Sequence, residues 1–308
     1  MIPRKLVIAT RASSLAVKQS EYVRERLLNI YPDLIINILT VVTKGDRILD
    51  RALSKVGGKG LFVKEIELAI RSGQADFAVH SMKDIPAETD DDLDVCSILE
   101  RENPSDVFVS NNFKSIEDLN HNCIIGTSSL RREAQIKSFS SNLVVQSLRG
   151  NINTRLDKLD AGHYDAIILA AAGLKRLNLD SRIRQYIDYD IVLPAVAQGA
   201  LGLQIMKHRD DLRILLSHLS CRNTTICVSA ERAVLRILGG SCQIPIASNA
   251  KIVADKIFLR SLVSSVDGKH IVRAEGSACL SEAISLGENL AEQLLLKGAD
   301  KILSSFVK

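Results

Sequence analysis

Tryptophan is missing from this chain and aromatic residues make up only 4% of it, so there are few rings on which nucleic-acid bases could stack. The formal net charge of +4 is therefore read as meeting small anions, and no nucleic-acid partner is expected. No uncharged run reaches the roughly 20 apolar residues that a membrane-spanning helix takes, so no membrane partner is expected either. Near the start, Leu6 to Ala9 is a short apolar stretch cut off by Arg11, whereas a secretory core needs about 7 to 15 apolar residues; a cytoplasmic location is expected. The six cysteines, Cys96, Cys123, Cys221, Cys227, Cys242 and Cys279, form no C-x-x-C pair and have no histidine at ligand spacing. Neither a metal site nor a disulfide framework is indicated. Free cysteines are usually small buried hydrophobes, and that is the expectation for all but Cys242.

What is present is an ordinary globular composition, 46% apolar and 25% charged, which excludes disorder and fibres. At 308 residues two or three domains are expected. Leu6 to Ala9 reads as a buried strand, and Ser13 or Ser14 can cap a helix with Leu15, Tyr22, Val23, Leu27 and Ile30 on one face, stopped near Pro32. Ile35 to Val42 returns as a strand. A loop with Gly57, Gly58 and Gly60 leads to a helix with Phe62, Ile66, Ala69 and Ile70 inward and Gly73 as its stop, followed by the strand Phe77 to His80. This alternation implies a parallel sheet covered by helices.

The pattern then repeats. Cys123 to Gly126, Leu143 to Ser147 and Ala166 to Ala170 read as strands, Leu130 to Phe139 and Thr154 to Ala161 as helices. Ile8-Ala9-Thr10 before Ser13-Ser14-Leu15 is echoed by Ile125-Gly126-Thr127 before Ser128-Ser129-Leu130, which points to two like lobes. A polar linker, Glu100 to Ser105, separates them, and a second crossing is expected near Pro194 to Gly199. The expected architecture is α/β, with two similar lobes like those of bilobal periplasmic binding proteins and a small C-terminal α+β domain. Its expected parts are 1–99 with 200–217, 105–193, and 222–308. In the last part a helix near Thr224 to Leu238, strands around Lys251 to Leu262 and Ile271 to Glu275, and a helix burying Ala283, Leu286, Leu290 and Leu294 are expected.

Ligands of open α/β sheets bind at the carboxyl ends of strands, where helix N-termini present N–H groups to anions. Basic residues fall on those turns: Arg11, Lys83, Arg131, Arg132, Arg149, Arg155 and Arg176. Any one would pass for a solvated charge, but so many of one sign imply a cleft for a polyanion, gripped by arginine forks. Lys55-Val56-Gly57-Gly58-Lys59-Gly60 lacks the spacing of a nucleotide-binding phosphate loop and reads as a surface loop or as a lid whose lysines reach over an anion. Asp84, in His80-Ser81-Met82-Lys83-Asp84-Ile85-Pro86, is the carboxylate seen among these turns. It is read either as a cap on backbone N–H groups or as a proton-handling group, and His80 as a packed strand-end residue. Cys242, in Leu238-Gly239-Gly240-Ser241-Cys242-Gln243-Ile244-Pro245, lies in a loop whose glycines allow close approach, consistent with a nucleophile or attachment point.

These segments, with Val56 to Phe62, Leu148-Arg149-Gly150-Asn151, Thr154-Arg155, Ala172-Gly173-Leu174, Leu193-Pro194-Ala195, Gln198-Gly199 and Glu231-Arg232-Ala233, closely resemble the hydroxymethylbilane synthase (porphobilinogen deaminase) family over nearly the full length. Ser241 departs from it, since the family usually has glycine before the cysteine. The resemblance implies a transferase of haem and tetrapyrrole biosynthesis. It would condense four porphobilinogen molecules, each losing ammonia, on a dipyrromethane cofactor held by a thioether to Cys242, and then release linear hydroxymethylbilane by hydrolysis. It implies that Asp84 is the catalytic acid and steadies the electron-poor azafulvene. By motif position Ser81, Lys83, Thr127, Ser128, Ser129, Arg131, Arg132 and Gln198 fall to the cofactor. Arg11, Ser13, Lys55, Lys59, Arg149, Arg155 and Arg176 fall to the substrate. The implied protein is a cytoplasmic monomer without metal whose product passes to uroporphyrinogen-III synthase, with hinge motion at the two linkers as the pyrrole chain grows. The rival readings are a non-enzymatic bilobal anion-binding protein, which would need neither Asp84 nor a reactive Cys242, and the sensor part of a transcription regulator, which would want a helix-turn-helix segment.

Overall fold

The computed structural model describes residues 3–47, 62–239 and 244–306. The expected loop of Gly57, Gly58 and Gly60 lies outside the described residues. The chain divides into two compact units, residues 1–102 with 200–225, and residues 103–199 with 226–308.

In chain order the first unit opens with β1 (Lys5–Arg11), α1 (Ser14–Ile30), β2 (Ile35–Val41), α2 (Lys44–Arg47), α3 (Lys64–Arg71), β3 (Phe77–Ser81) and β4 (Leu93–Ile98). The second unit supplies β5 (Asp106–Val109), β6 (Ile124–Gly126), α4 (Leu130–Phe139), β7 (Val144–Gln146), α5 (Ile152–Asp160), β8 (Ala166–Ala170), α6 (Ala171–Arg176) and β9 (Gln185–Tyr186). The chain then returns to the first unit with β10 (Leu201–Met206) and α7 (Asp210–Ser217). It ends with α8 (Arg222–Ile237), β11 (Ile246–Val253), β12 (Lys256–Ser264), β13 (Ile271–Cys279), α9 (Ala283–Leu294) and α10 (Asp300–Ser304).

The two lobes are alike strand for strand. One sheet runs β2-β1-β3-β10-β4 and the other β7-β6-β8-β5-β9. In each, the second strand (β1 or β6) pairs in parallel with two neighbours, and one strand (β10 or β5) runs antiparallel to both of its own. The echoed Ile8-Ala9-Thr10 and Ile125-Gly126-Thr127 thus fall on, or directly at the end of, strands in equivalent places of the two sheets. The sheets are mixed and not wholly parallel as expected. The reversed strand in each is the first one after a crossing between units, so it does not arrive through a helix on the sheet face, the connection that keeps strands parallel. β4, β5 and β9 were not foreseen; β9 is too short, and β5 follows Pro104 too closely, to show a period.

Helix α1 starts where Ser13 Oγ accepts the Ala16 N–H at 3.4 Å, a cap worth about 1 kcal/mol. Its buried stripe is Ala16, Gln19, Ser20, Val23 and Leu27, a correction to the expected face, since Tyr22 and Ile30 are exposed. The polar Gln19 turns inward because Ser81 at the end of β3 takes its amide at 3.0 Å, a partner that apolar periodicity cannot reveal. In α3 the expected Ile66, Ala69 and Ile70 are buried, and Gly73 ends the turn with φ +72°.

The small C-terminal domain is the antiparallel sheet β11-β12-β13 with α8 and α9 packed on one face. Leu286, Leu290 and Leu294 of α9 meet Ala230 and Val234 of α8 in one apolar cluster, each fully buried leucine contributing about 1.5–3 kcal/mol. Gly287 allows the close crossing, because a Cβ there would lie 2.2 Å from the Ala230 carbonyl oxygen. The expected buried state of the cysteines holds for Cys227 only. Cys96, Cys123 and Cys221 are half-buried and Cys279 is exposed, the last because it ends β13 on the outward side of the strand. Among the described residues no cluster of metal-ligand type is found, and no helix is long and apolar enough to cross a membrane.

Candidate functional site

The parallel strands of each lobe bring their carboxyl ends to one edge, and the turns beyond them carry the residues singled out above. In the first unit, Arg11 ends β1 and Ser13 follows as the α1 cap. Beyond β3 the chain makes a single 3-10 turn, Met82–Asp84, anchored by buried Met82, whose N–H donates to Ala200 O at 3.0 Å. This turn carries half-buried Lys83 and Asp84. Asp84 Oδ2 lies 3.9 Å from Arg11 Nη1, with side chains 30% and 24% exposed, so the carboxylate is accessible while an opposite charge faces it.

The other edge of the Arg11 fork is taken. Its Nε donates to Asp46 Oδ2 at 3.3 Å, its Nη2 donates to Asp46 Oδ1, and its Cζ lies 4.2 Å from the centroid of the Phe62 ring. Asp46 is fixed by Thr43, whose hydroxyl donates to Oδ2 at 2.7 Å and whose N–H donates at 3.3 Å, while Thr43 Oγ1 accepts the Asp46 N–H at 3.3 Å. Burial raises the Asp46 pKa, but Arg11 and Thr43 outweigh it and hold the carboxyl below its ordinary value.

Behind this turn, buried His80 donates from Nε2 to Gln204 Oε1 at 2.9 Å, and Gln204 Nε2 donates to Glu67 Oε1 at 3.0 Å. Burial pushes the His80 pKa down to about 4 against the weaker pull of Gln204 and Asp84. His80 is thus a neutral packed strand-end residue, as the sequence suggested, and Ser81 is committed to Gln19.

In the second unit the hydroxyls after β6 hold the turn itself. Thr127 Oγ1 accepts the Ser129 N–H at 3.2 Å, Ser129 Oγ caps α4 on the Arg132 N–H at 3.5 Å, and Ser128 Oγ donates to Leu148 O at 2.8 Å. Arg131 and Arg132 then run inward. Arg131 Nη1 donates to Asp106 Oδ2 at 2.6 Å and to Leu193 O at 2.7 Å; Arg132 donates from Nε and Nη2 to Asp106 Oδ1 and from Nη1 to Ile168 O at 2.9 Å. Gln198 Nε2 completes the group, donating to Asp106 Oδ1 at 3.0 Å and Pro104 O at 2.7 Å. Burial raises the Asp106 pKa, yet Arg131, Arg132 and Gln198 prevail and hold the carboxyl far below its usual range. One carboxylate thus faces two buried guanidiniums, an excess of one positive charge that a buried setting tolerates poorly without an anion.

Around this cluster, Arg155 Nε donates to Gly150 O at 2.8 Å and Arg176 Nη2 to Gly199 O at 2.7 Å, while burial lowers the pKa of Arg149. Gly150, at φ +114°, leaves no room for a Cβ beside Thr154. Lys55, Lys59, Ser241 and Cys242 lie outside the described residues.

Three carboxylates were not foreseen, so Asp84 is not alone among the basic turns. Asp46 carries a signal that was there to read, since Thr43-Lys44-Gly45-Asp46 has the capping-box spacing. Asp106 has none, its partners lying 25 and 26 residues away. Glu231, in the Glu231-Arg232-Ala233 stretch that carries the resemblance, sits on the apolar stripe of α8, fully buried, and accepts from Ala197 N at 2.6 Å and Ala250 N at 2.7 Å; an acid on an apolar face was the signal of this structural role.

Residues 6–214 match the family model described as porphobilinogen deaminase, dipyromethane cofactor binding domain, and residues 225–296 match porphobilinogen deaminase, C-terminal domain. The sequence is 52% identical over 303 residues, 98% of this chain and 96% of the relative, to porphobilinogen deaminase of Bordetella parapertussis, and equally to that of Bordetella bronchiseptica. Among solved structures, the periplasmic aliphatic sulphonate binding protein of Escherichia coli aligns over 76% of this chain and 70% of its own at 15% identity and TM-score 0.41.

Proposed function

The chain belongs to the porphobilinogen deaminase family, and from that premise we propose that Asp84 is its catalytic residue, Cys242 its cofactor attachment point and the arginines of both units its carboxylate-binding groups. The activity is hydroxymethylbilane synthesis, a transferase reaction of tetrapyrrole biosynthesis that uses a covalently bound dipyrromethane. When bound, that group would supply the free pyrrole carbon to which the first unit is joined, with later units added to the end of the growing chain.

The observation that carries the reading of Asp84 is its placement on a half-buried 3-10 turn at the end of β3, open to a ligand and faced by Arg11 at 3.9 Å. There an ionised carboxylate can stabilise a cationic substrate, accept or return a proton as ammonia leaves, and hydrogen-bond a pyrrole N–H. Lys83 on the same turn serves the acidic side chains of the cofactor. The hydroxyls of Ser81, Thr127, Ser128 and Ser129 shape the turns, and Ser13 orders the start of α1 behind Arg11.

The excess positive charge of Arg131 and Arg132 over Asp106 fits an acetate or propionate of the dipyrromethane, with Gln198 orienting the cluster. Arg149, Arg155 and Arg176, with Lys55 and Lys59, take the carboxylates of porphobilinogen and of the growing chain. A cytoplasmic, monomeric state, transfer of product to uroporphyrinogen-III synthase and hinge motion during elongation belong to the same proposal.

The test is turnover of porphobilinogen with ammonia release by the purified holoenzyme and by Asp84→Ala. The variant is expected to keep its fold, judged by circular dichroism, and to lose about 10²- to 10⁴-fold in rate. A near-normal rate in the folded variant removes Asp84 from the chemistry.

A further inference from the structure

Arginine usually meets a carboxylate with two parallel N–H groups, and the Nε/Nη2 edge is well suited to this. In Arg11 that edge is already spent on Asp46, and the flat face of the guanidinium lies on Phe62. What points toward Asp84 is Nη1, at 3.9 Å, a separation too wide for a hydrogen bond. Asp46 in turn is held by Thr43 through both its N–H and its hydroxyl, and Thr43 is fully buried. A carboxylate fixed by its own turn and closing one edge of an arginine is arranged to hold that arginine and not to be displaced by a ligand.

Charge gives this arrangement a consequence. Arg11 alone beside Asp84 would neutralise the carboxylate and oppose a cation there. With Asp46 included, two carboxylates share one guanidinium and the trio carries a net negative charge, which favours a cationic group next to Asp84. The reaction places such a group there: the protonated aminomethyl of the substrate loses ammonia as its C–N bond breaks, and the methylene stays behind on an electron-poor, cationic azafulvene.

We propose that Asp46 is a positioning residue for this reaction: it pins Arg11 by the Nε/Nη2 edge and offsets its charge, so that Arg11 orders the site around Asp84 without cancelling the negative charge that Asp84 contributes. This rests on the reading of Asp84 as the catalytic residue. Asp46 acts through Arg11, so its loss weakens stabilisation of charge that develops during reaction more than it weakens ground-state binding.

The test compares wild-type, Asp46→Asn, Thr43→Val and Asp84→Ala holoenzymes by steady-state kinetics on porphobilinogen, with thermal melts alongside. Asp46→Asn keeps the shape and removes the charge; kcat is expected to fall on the order of tenfold or more at a KM that is unchanged or lower. Thr43→Val, which loosens Asp46 but keeps its charge, is expected to lower kcat less, and it decides the matter if Asp46→Asn melts early. A raised KM at full kcat, or wild-type values for both variants, overturns the proposal. An active Asp84→Ala would instead overturn the assignment beneath it, so the two failures are distinguishable.

Discussion

Arg132 clasps Asp106 with Nε at 2.9 Å and Nη2 at 2.6 Å, both on Oδ1, while Arg131 takes Oδ2 at 2.6 Å. The three groups lie on β5 and the first turn of α4, so the ion cluster fastens the first strand after the linker to the helix that opens on the hydroxyl-rich turn. Removing one member of a buried cluster leaves the others charged and uncompensated, at a cost of about 3–5 kcal/mol. Asp106→Asn is expected to lower unfolding stability by that amount in urea titration; a loss below about 1 kcal/mol would mean that the cluster is wetter than its burial indicates.

Acid should act on the same carboxylate. Its folded pKa is depressed, so its contribution is complete above the unfolded value of about 3.9 and is lost as pH falls below it toward the folded value. Stability of the wild type should therefore drop steeply below about pH 4, and Asp106→Asn should flatten that drop. Parallel curves would contradict the assignment.

His80 acts in a higher window. Its pKa is lowered from 6.5 to about 4, so protonation favours the unfolded chain. Its contribution is complete above 6.5 and is lost as pH falls toward about 4, a total of roughly 3 kcal/mol at about 1.4 kcal/mol per pH unit. Chemical unfolding of His80→Asn between those limits should show a shallower dependence on pH than the wild type. An unchanged slope would mean that the ring is not buried in its neutral form.

Glu231 joins α8 to two backbones at once, with one oxygen on the Ala197 N–H and the other on the Ala250 N–H. Glu231→Gln keeps one acceptor and turns an NH2 group toward the other donor. The expected cost is about 1–3 kcal/mol, the penalty of an unsatisfied buried group, read from urea midpoints. A neutral result would show that a rotated amide satisfies both.

Much of this was legible beforehand because local rules governed it. Ala166–Ala170 and Leu130–Phe139 appear at their expected bounds, the first as an apolar run between punctuating residues, the second because Ser129 caps it. The like lobes showed in the echo of Ile8-Ala9-Thr10 by Ile125-Gly126-Thr127. Helix α5 starts earlier than Thr154 because Asn151, not Thr154, supplies the cap. What escaped was non-local. Nothing near Asp106 announces two arginines far along the chain, nothing near Gln19 announces Ser81, and the reversed direction of β5 and β10 depends on which unit each strand enters from. The basic turns were visible one by one, but their division into exposed and buried charges required the carboxylates that partner them.

Covalent attachment of a dipyrromethane at Cys242 is tested by the intact mass of the purified protein beside that of Cys242→Ala. The unsubstituted chain is expected to be heavier than its sequence by two linked pyrrole units, and the variant to show the bare polypeptide mass. The bare mass in both, after expression with porphobilinogen available, would contradict the attachment.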